Sequence, residues 1–237
     1  MSVPEFNFDS LSDYHDSVNE LLHSSETKLQ IIQQGQQKWA HQLSEASLKM
    51  ADSCAAAKDL LLLAKGHLQD LQSAFRHIAA SKDDRDGSNI VASQRLPRKQ
   101  LKKAILKRLQ SLKGMKTTSA AAAAASPSSE EDESLAAVAN LLKEVRATTV
   151  SMVDSLLPLM AMPNPDRGHR DPVFRIKLTR VDTLSFWEKC NASDIRSMMK
   201  RLEEVEMAVE DMEAELEGIF RRLIRTRASL LNILTSS

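Results

Sequence analysis

Apolar residues recur along most of this chain at alternating steps of three and four, the spacing that lines one face of an α-helix. From Ser10, a candidate N-cap with Asp13 three residues on, Leu11, Tyr14, Val18, Leu22, Leu29 and Ile32 predict a first helix that continues to a break or bend at Gly35. Trp39, Leu43, Ala46, Met50, Cys54, Ala57, Leu61, Ala64, Leu68, Leu71, Phe75 and Ile78 form a second stripe without a proline, a rod of roughly 60 Å. Residues 81–92 (SKDDRDGSNIVA) are polar, contain Gly87 and predict a loop. Beyond Pro97, which a first helical turn accepts, Leu101, Ala104, Ile105, Leu109 and Leu112 give a helix lasting to Gly114.

Residues 115–133, with an alanine run at 120–125 followed by SPSSEEDE, have no alternation that could pack and predict a low-complexity tether. Ser128 or Ser129, ahead of four acids, then caps a helix faced by Leu135, Val138, Leu142, Val145, Met152, Leu156 and Leu159, which Pro158 kinks or ends. Prolines and Gly168 make 162–172 a loop, and 173–190 fits a helix less regularly through Val173, Ile176, Leu178, Val181, Leu184 and Trp187. The clearest stripe comes last: Ile195, Met198, Leu202, Val205, Val209, Met212, Leu216, Ile219 and Leu223, extended by Leu230 and Ile233. After Leu216 it widens to include Phe220, Ile224, Leu231 and Leu234, the mark of a helix buried on more than one side. The pattern predicts an all-α fold, an elongated multi-helix bundle with long antiparallel coiled-coil-like helices, in one domain over 1–237. Composition agrees, because a 4% aromatic fraction with 6 Gly and 7 Pro leaves little from which to build strands and turns.

Charge changes this picture locally rather than globally. Lys+Arg 32 balance Asp+Glu 32, so no net field draws the molecule toward nucleic acid or an anionic membrane. Two blocks of opposite sign stand out. Arg95, Arg98, Lys99, Lys102, Lys103, Lys107, Arg108, Lys113 and Lys116 make a basic amphipathic helix with no acid among them. Glu203, Glu204, Glu206, Glu210, Asp211, Glu213, Glu215 and Glu217 make an acidic surface on the last helix, which turns basic at Arg221, Arg222, Arg225 and Arg227. The plainest account of the basic block is a solvated face partly neutralised by the acidic helix. Next comes an anionic membrane surface or another acidic partner, for which Arg98, Lys99, Lys102, Lys103, Lys107 and Arg108 are the candidate residues. Nucleic acid ranks last, since no aromatic platform or reader motif accompanies the cations. The seam from Ile195 to Leu223 serves equally for self-association and for packing within one chain.

Catalytic chemistry finds no foothold, which predicts a non-enzyme without cofactor or metal. Ser25-Glu26-Thr27-Lys28 fits SxxK but lacks the companion motifs. No two of the six histidines, His15, His23, His41, His67, His77 and His169, stand three or four residues apart, so a helical metal site has no ligand pair. The glycines form no phosphate loop, and neighbouring acids such as Glu203 and Glu204 sit on a solvated face. Trp39 and Trp187 follow the apolar periodicity and read as core residues. Cys54 and Cys190 have no metal spacing and read as free thiols of a reducing compartment. An acidic start without early Lys or Arg argues against a secretory or transit peptide, and no apolar run spans a bilayer, Leu60–Ala64 being short and Val150–Met162 carrying Asp154 and Pro158. The expectation is an intracellular protein, cytoplasmic or nuclear, in which the sequon Asn191-Ala192-Ser193 serves only as a helix cap.

Several segments resemble a known family. Lys38-Trp39 with Leu43, Ala51-Asp52-Ser53-Cys54, Lys58-Asp59-Leu60-Leu61, the run from Leu68 to Arg76 (LQDLQSAFR) and the Lys102-Lys103 helix resemble the plant-specific BYPASS-like helical proteins. The run from Leu216 to Leu234 (LEGIFRRLIRTRASLLNIL) is the most specific match. The resemblance implies a plant protein associated with root and shoot development. It supplies no enzyme activity, cofactor or catalytic residue to carry over. Members often carry a basic, Ser/Pro-rich lead that this sequence lacks, so expectations of localisation drawn from that lead do not transfer. The leading expectation is a non-enzymatic adaptor or regulatory scaffold for an unknown protein partner, with peripheral membrane association through residues 95–116 as the alternative.

Overall fold

The computed structural model describes residues 8–80, 95–115, 133–159 and 192–235. They form six helices: α1 (Phe8–His23), α2 (Ser25–Gln33), α3 (Gln37–Ala80), α4 (Arg95–Gly114), α5 (Glu133–Leu159) and α6 (Ala192–Thr235). No strand occurs among the described residues, as the helical periodicity predicts. The expected loops at 81–92 and 162–172, the helix at 173–190, the caps Ser128, Ser129 and Asn191, and the tether apart from Met115 and Glu133 lie outside them. So do Trp187, Cys190 and His169.

Two helices of 44 residues, α3 and α6, form the spine. At a rise of about 1.5 Å per residue each is a rod of roughly 66 Å. They run antiparallel, because cross-links that climb α3 descend α6: Glu45 to Arg227, Lys58 to Glu217, Lys65 to Glu210 and Gln72 to Glu206. Between them the stripe read from the sequence is buried, from Leu43 through Met50, Leu61 and Leu68 to Phe75, while Trp39, Ala46 and Ile78 pack at its margins. On the facing helix Met198 through Leu223 are buried with Leu230 and Ile233, and Phe220 and Leu234 widen the contact. Ile224, expected on that widened face, is instead exposed at 38%. Ser193 falls inside the first turn of α6 and is not its cap.

The first helix departs from expectation. Its described start is Phe8, so Ser10 lies within the first turn, and the helix stops at His23. Ser24 takes extended backbone (φ −61°, ψ 135°) and its Oγ accepts from the Thr27 backbone N–H at 3.1 Å, capping a separate α2. The break rotates the second segment, which buries Thr27 and Ile31 and leaves Leu29 exposed at 56%. The SxxK segment therefore opens α2. At the far end the Gln36 N–H bonds the Ile31 carbonyl and the Gly35 N–H bonds the Ile32 carbonyl, closing a Schellman motif. Gly35 supplies the left-handed residue it needs, at φ +68°. A Cβ there would meet no atom within 4 Å, so Gly35→Ala bears only the backbone cost. Urea denaturation of that variant is expected to show a loss of roughly 1–2 kcal/mol.

The remaining helices complete the bundle. α1 lies along α6 in the same direction: Ser12 meets Arg222, Asp16 faces Arg225, and the Asn19 Oδ1 takes a hydrogen bond from Thr226 Oγ1 at 3.1 Å. α5 packs on α3, where Cys54 Sγ lies 3.7 Å from Thr149 Oγ1, and on α1, where the Tyr14 hydroxyl donates to the Ala137 carbonyl. Cys54 is a free thiol, as expected, and burial pushes its pKa up to about 12, which leaves it unreactive. α4 fills the groove between α3 and α5. Pro158, one residue before the last described residue of α5, sits where the sequence places a kink or an end.

Candidate anionic-partner face on the basic helix

α4 owes its position to Leu101, Ile105, Leu109 and Leu112, all buried against α3 and α5. Its end is fixed by the Arg146 guanidinium of α5, which donates to the Met115 carbonyl and so brings a cation to a helix C-terminus. With one side of the helix consumed by the core, the cations divide into three groups. Lys99, Lys103 and Lys107, spaced by four, form an exposed ridge opposite the buried leucines. Lys102 and Arg108 are half-buried on the flanks. Arg98 is half-buried as well, and lies on the packed side. Two large apolar residues accompany the ridge, Leu96 at 64% and Leu106 at 47% exposure.

The acidic helix does not neutralise this face. Glu210 pairs with Lys65 at 2.6 Å and Glu217 with Lys58 at 2.9 Å, both on α3. Glu206 accepts from the Gln69 and Gln72 side-chain amides, and these two bonds hold its carboxyl below the usual carboxylate range. Hydrogen bonds from Lys58 and Arg221 do the same for Glu217. The basic end of α6 turns to Asp16 and Glu45. Among the described residues no carboxylate pairs with Arg98, Lys99, Lys102, Lys103, Lys107 or Arg108. Among the described residues no ion pair joins the basic block to α6, against the expectation of partial neutralisation: Glu206, Glu210, Glu213 and Glu217 turn instead to side chains of α3.

The candidate seam resolves the other way. Met198, Leu202, Val205, Val209, Met212, Leu216, Ile219 and Leu223 are buried, Ile195 is half-buried at the margin, and their partner is α3 of the same chain.

Chemistry is sparse elsewhere. Among the described residues no group of three or more His, Cys, Asp or Glu could hold a metal ion, and no helix is long and apolar enough to cross a membrane. His23, His41 and His77 are exposed. His15 and His67 are buried with both ring nitrogens lacking a hydrogen-bond partner, a feature the spacing test for metal ligands passes over. A heptad signal does exist for one of them: Leu60, His67 and Ala74 share a register on α3, and all three are buried.

The family model for Protein BPS1 matches residues 7–233, from the start of α1 nearly to the end of α6. The chain belongs to the BPS1 family. Membership agrees with the BYPASS-like resemblance, and the BPS1 match takes in every described helix but the last two residues of α6. Comparison with curated proteins and with solved structures yields no match.

Proposed function

We propose that this BPS1-family chain is a non-enzymatic helical scaffold or adaptor that recruits an acidic protein partner on the Lys99–Lys103–Lys107 ridge of α4. The observation that carries the reading is the mismatch of charge. Glu210, Glu213 and Glu217 of α6 pair with lysines of α3, and the cations of α4 have no acid among the described residues. Rigid helices that bury their apolar stripes internally and show a one-signed ridge outward suit steering and docking better than chemistry. The resemblance adds a role in root and shoot development.

Affinity purification from plant tissue tests this, using the full chain beside a Lys99→Glu, Lys103→Glu, Lys107→Glu variant. The wild type is expected to retain a partner that elutes with rising salt, and the variant to lose it while keeping its helical far-UV spectrum. A partner retained equally by both would sink the assignment to α4.

Leu96 and Leu106 favour a second reading, adsorption to an anionic membrane. Because the apolar face of α4 is already buried in the bundle, such binding would be chiefly electrostatic rather than insertion of an amphipathic helix. Flotation with vesicles rich in phosphatidylserine decides it: the reading requires co-flotation that disappears in high salt and in the triple variant.

A further inference from the structure

The outward side of α6 is the inverse of the ridge on α4. Glu206, Glu210, Glu213 and Glu217 turn to α3, while Glu203, Glu204 and Asp211 are exposed on the outward side of the same helix. Met207 stands among them at 65% exposure, the highest of any large apolar side chain among the described residues. One exposed methionine is ordinary on a protein surface. Its setting, however, repeats that of α4 with the charge reversed, for there Leu96 and Leu106 are exposed beside Lys99, Lys103 and Lys107. The spans agree as well: Lys99 to Lys107 and Glu203 to Asp211 are the same number of residues, about 12 Å of helix. Within one chain the two faces are not packed together, because α4 lies on α3 and α5 while α6 lies chiefly on α3 and α1.

We propose that the outward face of α6 in one copy of this chain seats on the Lys99–Lys103–Lys107 ridge of α4 in another. The proposal rests on the scaffold reading of that ridge and names a second copy as an acidic partner. With the helices antiparallel, Lys99 comes opposite Asp211 and Lys107 opposite Glu203. The aliphatic stem of Lys103 then crosses Met207, and Leu96 meets the exposed Ala214. A parallel pairing would set Leu96 against the exposed Lys200 and lose that contact. Like charges repel when α4 faces α4 or α6 faces α6, so only unlike faces pair. Such a contact closes reciprocally between two copies or runs on from copy to copy. Two helices meeting over about 12 Å cover less than the roughly 800 Å² per partner of a standard interface, so the association is weak and sensitive to salt.

Sedimentation velocity of the full chain tests this. At about 50 mM salt the mean mass should rise with protein concentration, and at about 500 mM it should return to that of one chain. Lys99→Glu, Lys103→Glu and Lys107→Glu together should keep the chain single, as should Glu203→Lys, Glu204→Lys and Asp211→Lys together. Both sets in one chain restore opposite charges across the contact and the original net charge, and that chain should associate again. Asp52→Lys, Asp59→Lys and Asp70→Lys, at exposed positions of α3, reach the same net charge as the α6 set and should weaken association by less than about threefold. Met207→Ser leaves charge untouched and should weaken it about fivefold. These last two tests do not depend on whether the sixfold variant folds, and far-UV circular dichroism checks the helices of each protein. A single mass at every concentration in low salt would overturn the proposal. So would association that survives the α6 reversal, or equal losses from the α3 and α6 sets. If the chain stays single while capture from plant tissue still depends on the ridge, the pairing fails and the scaffold stands. If the pairing forms while captured partners ignore the ridge, the scaffold reading fails and the pairing stands.

Discussion

Leu61→Ala is expected to lower the free energy of unfolding by about 2–5 kcal/mol, while Leu63→Ala, two positions away, stays within about 0.5 kcal/mol. The two leucines share composition, neighbours in sequence and helix propensity. They differ in direction: Leu61 is 1% exposed and faces the core shared with α6, and Leu63 is 59% exposed on the outer side of α3. Truncating Leu61 removes apolar contact and leaves a cavity between two rigid helices that cannot collapse to fill it. Urea denaturation followed by far-UV circular dichroism measures both, and an unchanged dependence on urea would show that compactness is retained. Equal losses at the two positions would contradict the packing of α3 on α6.

Stability should also fall on acidification, between pH 6.5 and pH 4, by about 3 kcal/mol from one residue. His15 is fully buried, and its pKa is lowered to about 4, by burial first and the Arg222 charge second, with Asp16 partly offsetting both. In the unfolded chain the imidazole takes up a proton below about 6.5, and in the folded chain it does not until about 4. The unfolded state thus binds more protons throughout that window, and acid favours it. His67, lowered in the same direction, adds to the effect. Glu206 and Glu217, held below the usual carboxylate range, contribute linkage of the same sign at lower pH, stability that is present above the ordinary glutamate pKa and is lost as pH falls through their lowered values. His15→Leu should flatten the profile from pH 6.5 to 4. At pH 7 it should gain about 1–3 kcal/mol, since two unpartnered nitrogens leave the core. A wild-type profile that is flat in this window would refute the burial of His15.

Much of the spine was legible because its stripes are long. Over 44 residues a helical pitch repeats often enough that no other period fits Leu43 to Phe75 or Met198 to Leu223. The break at Ser24 was hidden because Leu22 and Leu29 are one heptad apart and so imitate a continuous face. The available signal was Ser24 three residues before Thr27, a cap pattern that also reads as two ordinary polar positions. Which helix faces which was not legible. A seam at Ile195–Leu223 looks the same whether α3 or another copy covers it, and the basic block of α4 looks balanced by α6 until Lys58 and Lys65 are found holding the same acids. Arg98 was readable as a cation, but its half-burial depends on where α4 docks. The heptad step from Arg98 to Ile105 and Leu112 was the one clue in the sequence.

The order of the helices bears on how a cell makes this protein. The stripe of α3 and much of α1 are covered by α6, the last element described, so neither has its main partner when it first leaves the ribosome. At about 5–20 residues per second, the stretch between the end of α3 and the end of α6 takes roughly 10–30 s to translate. For that interval a nascent chain holds out a greasy helix surface some twelve turns long, a natural client for chaperones. A message cut short upstream of Leu216 would yield a product that cannot close its hairpin and is open to proteolysis.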